Sequence, residues 1–304
     1  MKKLDRVTRG ILCTTLGGVC WGISGTCGQY LFSTYHVSSQ WFTAVRMLVS
    51  GLCFLLLALK SSRPALSGIW RDRRDVLQLV VYGIFGLMLC QYAYMTSISY
   101  SNAATTTVLQ NLSLVIIMVL SCLQLRRWPG RRQVLALALA AAGTYLVATG
   151  GDPRHMVLSR QGLIWGLLTA ASVAAYTLIP SRILPKWGKE VISGYGMLIG
   201  GAVLCLASRP WRLYVPIPIQ GWLAVAAVIV VGTILSFSLF MQGIADIGPV
   251  RSAMLATTEP VSATLFSFLC LGTRFSVTDL IGFACIIAMI LVLAKTNEEK
   301  TPAA

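Results

Sequence analysis

One acidic side chain stands deep inside an apolar run: Glu259, in Ala256-Thr-Thr-Glu-Pro260. A charge at the centre of a membrane helix costs about 2.5–3.5 kcal/mol on insertion scales, so such residues ordinarily face a cavity and mark a pathway. The carboxyl could exchange a proton or hold a substrate ammonium. Pro260 lacks an N–H, which is expected to free a backbone carbonyl near Ala256 for a polar cavity or an ion. The competing reading is a protonated structural carboxyl bonded to Thr257, Thr258 or a neighbouring helix. Arg46 is the one basic residue away from the ends of a run. It either snorkels to the membrane surface or faces a cavity. In a cavity its planar guanidinium would grip a carboxylate or phosphate through two parallel bonds, favouring anionic or zwitterionic solutes.

Gln91 and Tyr94 recur at helical spacing, followed by Gln110, Asn111 and Ser113; Trp21, Trp165 and Tyr176 could form cavity walls. Interhelical hydrogen bonding accounts for each amide equally well, and packing for each ring. The candidate substrate-binding or coupling set is therefore Glu259, Arg46, Gln110, Asn111, Tyr94, Gln91, Trp21 and Tyr176, with Pro260 as a helix break. No Walker motif, HExxH, GxSxG or triad is present, so an enzyme is not expected. The nine cysteines lie in apolar stretches without a CxxC pair or a nearby His, and His36 and His155 fall in loops. These read as small buried hydrophobes, with no metal or cofactor expected.

The elements that must position these residues follow from composition. Of 304 residues, 56% are hydrophobic and 12% charged, against about a quarter charged in soluble domains. Lipid must act as solvent for much of this surface. Apolar segments fall at 10–32, 40–59, 76–98, 102–125, 133–149, 161–180, 190–207, 219–243, 250–271 and 277–296. Most approach the roughly 20 residues that cross hydrocarbon, which predicts an all-α polytopic membrane protein of about ten transmembrane helices. Pro180 and Pro185 should end or kink the sixth. The first run is too long for a signal-peptide core and lacks an A-x-A site, so it reads as a retained span.

The net charge of +15 does not point to nucleic acid, because the basic residues sit between the apolar runs rather than on one stripe. Lys2, Lys3, Arg6, Arg9, Lys60, Arg63, Arg71, Arg73, Arg74, Arg126, Arg127, Arg131, Arg132, Arg182, Lys186, Lys189, Arg251, Lys295 and Lys300 fall on one side, nineteen in all. Arg154, Arg160, Arg209, Arg212 and Arg274 make five on the other. The positive-inside rule then predicts both termini in the cytoplasm.

An internal repeat is visible. An offset of 146 maps Gly86 onto Gly232, Met95 onto Met241, Leu109 onto Leu255 and Leu125 onto Leu271. Cys20-Trp-Gly22 matches Ile164-Trp-Gly166, and Arg46-Met-Leu-Val-Ser-Gly51 matches Gly196-Met-Leu-Ile-Gly-Gly201. Ser113 and Leu114 pair with Glu259 and Pro260, so the halves have diverged there. Residues 10–149 and 161–296 form two halves of five spans, followed by a short cytoplasmic tail at 297–304. Five is odd, so the halves enter the membrane in opposite orientations, an architecture that places a substrate site near the midplane. Gly18-x-x-x-Gly22, Gly162-x-x-x-Gly166 and Gly196-x-x-x-Gly200 permit close helix approach. They speak to packing, not to oligomeric state.

Two five-helix halves, Trp21-Gly22 and Trp165-Gly166 near the start of each, Arg46 in span two and Glu259-Pro260 in span nine together resemble the EamA branch of the drug/metabolite transporter superfamily. The resemblance runs from about residue 10 to 296. Ser101-Asn-Ala-Ala-Thr-Thr-Thr-Val-Leu-Gln110 and the Cys20-to-Tyr30 segment look most like a bacterial inner-membrane subgroup. Where many relatives carry Gly-Glu at the ends of spans four and nine, this chain has Arg126-Arg127 and Leu271-Gly272-Thr273, and Leu114 replaces the usual Pro. The resemblance implies two inverted repeats around one central cavity, and export of amino acids, related metabolites or drug-like compounds. The expected partners are a small-molecule substrate and membrane lipid, with the proton as candidate coupling ion. Alternatives are multidrug or cation efflux, metabolite uptake and, more distantly, a scaffold that moves nothing.

Overall fold

The computed structural model describes residues 5–61, 63–124, 126, 128–152, 156–247, 252, 255–256 and 258–298. Lys2, Lys3, Leu125, Arg127, Arg154, His155, Arg251, Thr257 and Lys300 lie outside the described residues. Everything regular among the described residues is helical. Among these residues, eight helices are long and apolar enough to cross a membrane, and Thr258–Leu271 and Val277–Val292 are shorter apolar helices.

In chain order, α1 (Arg6–Tyr35) and α2 (Ser39–Ser61) come first, then the short α3 (Arg63–Gly68). A long span follows: α4 (Arg73–Val81), a π-helical segment Tyr82–Met88, and α5 (Leu89–Tyr100). Its entrance is fixed by Asp72, whose carboxylate accepts from the Arg74 N–H, a helix-initiating cap. Asn102 caps α6 (Ala103–Gln110) in the same way through Thr105 N–H. The chain turns at Asn111 and Leu112 before α7 (Ser113–Gln124), and α8 (Arg131–Thr149) ends on left-handed Gly150 at φ 63°, a conformation glycine adopts without steric penalty.

The second half runs through α9 (Arg160–Leu178), α10 (Ile183–Trp187), α11 (Lys189–Ser208) and α12 (Ile219–Ile229). A π-helical segment Val230–Leu235 leads into α13 (Ser236–Ile247), followed by α14 (Thr258–Leu271) and α15 (Val277–Glu298). Pro180 and Pro185 sit where α9 tightens into a 3-10 turn and in the short α10, as their missing N–H groups require.

Two expectations are corrected. Glu259 is not near the middle of a helix but in the first turn of α14. Pro260 therefore occupies a position where a missing N–H costs nothing. The Ala256 carbonyl is not freed by it either, because the Glu259 N–H donates to that oxygen at 2.9 Å.

Helices pair across the two halves: α1 packs on α13 and α14, α2 on α11, α5 on α9, and α8 on α15. The α1–α14 approach needs glycine. A Cβ on Gly22 would collide with Ser262 Oγ and lie 2.7 Å from the Ala263 backbone nitrogen. Gly22→Leu is therefore expected to cost about 1–3 kcal/mol or more by overpacking. Thermal loss of monodispersity in detergent would read it, and an unchanged profile would refute the tight approach.

Ion pairs secure one end of the bundle. Arg9 donates to both Asp246 oxygens, Nε to Oδ2 at 2.8 Å and Nη2 to Oδ1 at 2.7 Å, tying the start of α1 to the end of α13. The bond from Arg9 holds the Asp246 carboxyl down to about 2. Asp75, with a fully buried side chain, accepts from Lys186 and from Trp187 Nε1, joining α4 to α10. Because the Asp246 carboxyl falls below its unfolded value of about 3.9, its stabilising contribution is complete above that value and lost as pH falls toward 2. The thermal-stability gap between wild type and Asp246→Asn should thus be full at neutral pH and narrow on acidification. A gap that is the same throughout would contradict this.

Candidate functional site

A cavity of about 240 Å³ lies among α1, α2, α5, α6, α9, α11, α13 and α14. Seven of the eight candidate residues reach it: Trp21, Arg46, Gln91, Tyr94, Gln110, Tyr176 and Glu259. The eighth, Asn111, turns back on its own helix, its Nδ2 donating to the Thr107 carbonyl at 2.8 Å. Asn111 thus helps close α6 where the chain turns. Pro260 is buried directly beside Glu259.

Arg46 does not snorkel. It is 6% exposed, and its Nε donates to Thr233 Oγ1 at 3.0 Å. Thr233 lies in the π-helical segment, and its hydroxyl donates to the Val228 carbonyl at 3.0 Å, five residues back. The widened turn thereby presents a hydroxyl oxygen to the guanidinium. Arg46 Nη1 is buried and makes no hydrogen bond. The ion pairs among the described residues include neither Arg46 nor Glu259. A fixed donor and a carboxyl share one cavity without neutralising each other through direct contact.

Around these two groups the wall is aromatic and apolar. Trp21 packs on Phe240 with ring centroids 5.1 Å apart, and Tyr176 stacks on Tyr82 at 6.1 Å. Tyr94 OH is 3.0 Å from Thr107 Oγ1. Trp165 instead packs edge-on against Tyr92 at 5.2 Å.

Sequence reasoning passed over Thr233, Ser24, Ser193, Phe237 and Phe240, which also line the cavity. Gly232-Thr233 carried a signal. Gly232 and Gly86, which the 146-residue offset pairs, both lie in π-helical segments, and such segments frequently fall at functional sites. A Cβ on Gly232 would collide with the Ser24 side chain, so close backbone approach explains the glycine.

The EamA-like transporter family matches residues 8–149 and again 160–295. Among similar proteins, the uncharacterized inner membrane transporter YicL of Salmonella typhimurium (strain LT2) is 32% identical over 97% of this chain and 98% of its own length. The uncharacterized transporter YcbK of Bacillus subtilis (strain 168) is 22% identical over 92% of this chain and 91% of its own. A solved crystal structure shares the fold with a TM-score of 0.63 at 19% identity, covering 96% of this chain and 99% of that one.

Proposed function

This chain belongs to the EamA-like transporter family and is a multi-pass membrane transporter; from that premise we propose that it is a secondary exporter of small zwitterionic metabolites, amino acids or related compounds. The observation that carries the substrate class is the buried Arg46 with an unengaged Nη1 in the same cavity as Glu259. A substrate carboxylate meets the guanidinium, where charge-assisted bonds are strongest. Its ammonium meets Glu259, and its side chain lies against Trp21, Phe237 and Phe240. The cavity's roughly 240 Å³ falls below the ~300–1,000 Å³ of drug-sized ligand sites, which favours a metabolite.

In this reading the chain crosses the bacterial inner membrane ten times, as two inverted five-helix repeats with both termini in the cytoplasm. The two separate family matches, the cross-pairing of α1 with α13 and α5 with α9, and a π-helical segment in each half support the repeat. Alternating access would proceed by rocking of the repeats about the midplane cavity, with a proton on Glu259 as the coupling ion. A lipophilic-cation exporter is the second reading, favoured by the aromatic walls and opposed by the positive charge of Arg46.

Untargeted mass spectrometry of medium from cells expressing the protein or an empty vector tests this. Enrichment of zwitterionic solutes is the expected result. Enrichment confined to lipophilic cations overturns the substrate class, and depletion of solutes from the medium overturns the direction.

A further inference from the structure

Resting on the transporter reading, we propose that a second cavity at the ion-paired end of the bundle is an antechamber for the solute, and that Phe237 is the barrier between it and the midplane cavity. This outer cavity, about 310 Å³, is lined by Phe54, Leu57, Lys189, Glu190, Phe237, Ser238 and Gln242. Among the described residues, Phe237 alone lines both cavities. Its ring meets Phe54 edge to face, with centroids 5.7 Å apart and planes at 75°. The contact joins α13 to α2.

The placement gives the antechamber a direction. Leu57 lies near the end of α2, Lys189 begins α11, and Gln242 is in the second half of α13, so the cavity sits at the end that carries Arg9, Asp246, Asp75 and Lys186. That is the end the charge distribution places in the cytoplasm. The Arg9–Asp246 bridge ties α1 to α13, and the Lys186–Asp75 bridge ties α4 to α10. Neither spans the contact between α2 and α13. The Phe54–Phe237 contact is therefore a place where the bundle can part without breaking a charge pair. Lys189 Nζ and Glu190 Oε1, 3.9 Å apart, put both signs of charge at the cavity wall, matching a zwitterion. Inside, Ser238 and Gln242 add polar groups before the apolar barrier.

Cys90, which lines the midplane cavity, serves as a native reporter. Membrane vesicles of known orientation are treated from the cytoplasmic face with sulfonatoethyl methanethiosulfonate, which is too polar to cross lipid. Peptide mass spectrometry then reads each cysteine separately, so the other eight stay in place. Removing an edge-to-face aromatic contact should raise the open population about two- to tenfold. Phe237→Ala is expected to speed Cys90 modification by that factor, and Phe237→Trp to slow it. Leu57→Trp, which narrows the antechamber without touching Phe237, should also slow it. Each variant must keep the wild-type thermal unfolding in detergent; one that does not is set aside, and the remaining variants decide. Cys90 rates that ignore all three substitutions, or that respond only from the opposite face, overturn the proposal. No transported solute is needed, so that result leaves the carrier reading itself untouched, whereas absence of any solute flux with responsive Cys90 rates would sink the carrier reading alone.

Discussion

Replacing Arg46 by methionine is expected to abolish export of carboxylate-bearing solutes while leaving the folded protein at least as stable as wild type. The two halves of that result come from one geometry. The guanidinium is buried, held by a single bond from Nε to Thr233, with Nη1 unengaged. A charge kept in that state is costly to the fold, so an apolar side chain of similar length should relieve the cost. Thr233 keeps its own bond to Val228 when Arg46 is gone. The substrate, by contrast, loses the one cationic partner that the described residues place in the cavity. Deleting one member of a buried charge pair costs about 2–5 kcal/mol, roughly 30- to several-thousand-fold in binding. Efflux from preloaded vesicles and thermal unfolding, measured on the same preparation, separate the outcomes. Transport near the wild-type rate would remove Arg46 from substrate binding. A sharply lowered unfolding temperature would make it a structural residue instead.

Glu259→Gln should stop proton-driven accumulation. The amide matches the carboxyl in size and can still accept a hydrogen bond, but it can neither release a proton nor balance an ammonium. A cationic group brought into the cavity would then be desolvated without a partner, a penalty comparable to the loss at Arg46. In proteoliposomes with an imposed pH gradient, Glu259→Gln is expected to lose uphill transport at least about a hundredfold, with Glu259→Asp partly restoring it. Accumulation equal to wild type in the Gln protein would eliminate both the coupling role and the ammonium contact. Loss of uphill transport with downhill exchange intact would assign Glu259 to coupling alone.

Charge made the two central residues legible in the sequence. Arg46 and Glu259 stand out because an ionisable side chain in an apolar run is expensive, and expense leaves a mark that composition cannot hide. The helices were legible for a related reason, since length and apolarity are set by the bilayer. The residues between them were not. Ser24, Ser193 and Phe240 are ordinary members of apolar helices, and only packing decides which face they present. The π-helical segments at Tyr82–Met88 and Val230–Leu235 also add a residue per turn, so a strict 3.6-residue period misplaces side chains beyond them. That is why Thr233 escaped notice although it holds the central arginine. Asn111 failed for the opposite reason: its amide found the Thr107 carbonyl four residues back, the local competition to which Asn is prone. Pro260 was read as an interior break, but the turn before it starts a new helix there.

The order in which the chain is made bears on the glycine face of α1. Gly18 and Gly22 lie against Thr258, Ser262 and Ala263 of α14. Those partners are synthesised about 240 residues later, which at 5–20 residues per second means roughly ten to fifty seconds. Through that interval α1 presents this glycine face to lipid or to the insertion machinery. Nothing earlier in the chain can complete the α1–α14 contact. The α1–α14 contact is therefore made only after α1 has inserted, and a nascent chain stalled before its last third, although α1 can already meet α5 and α6, leaves the glycine face of α1 uncovered for quality control to find.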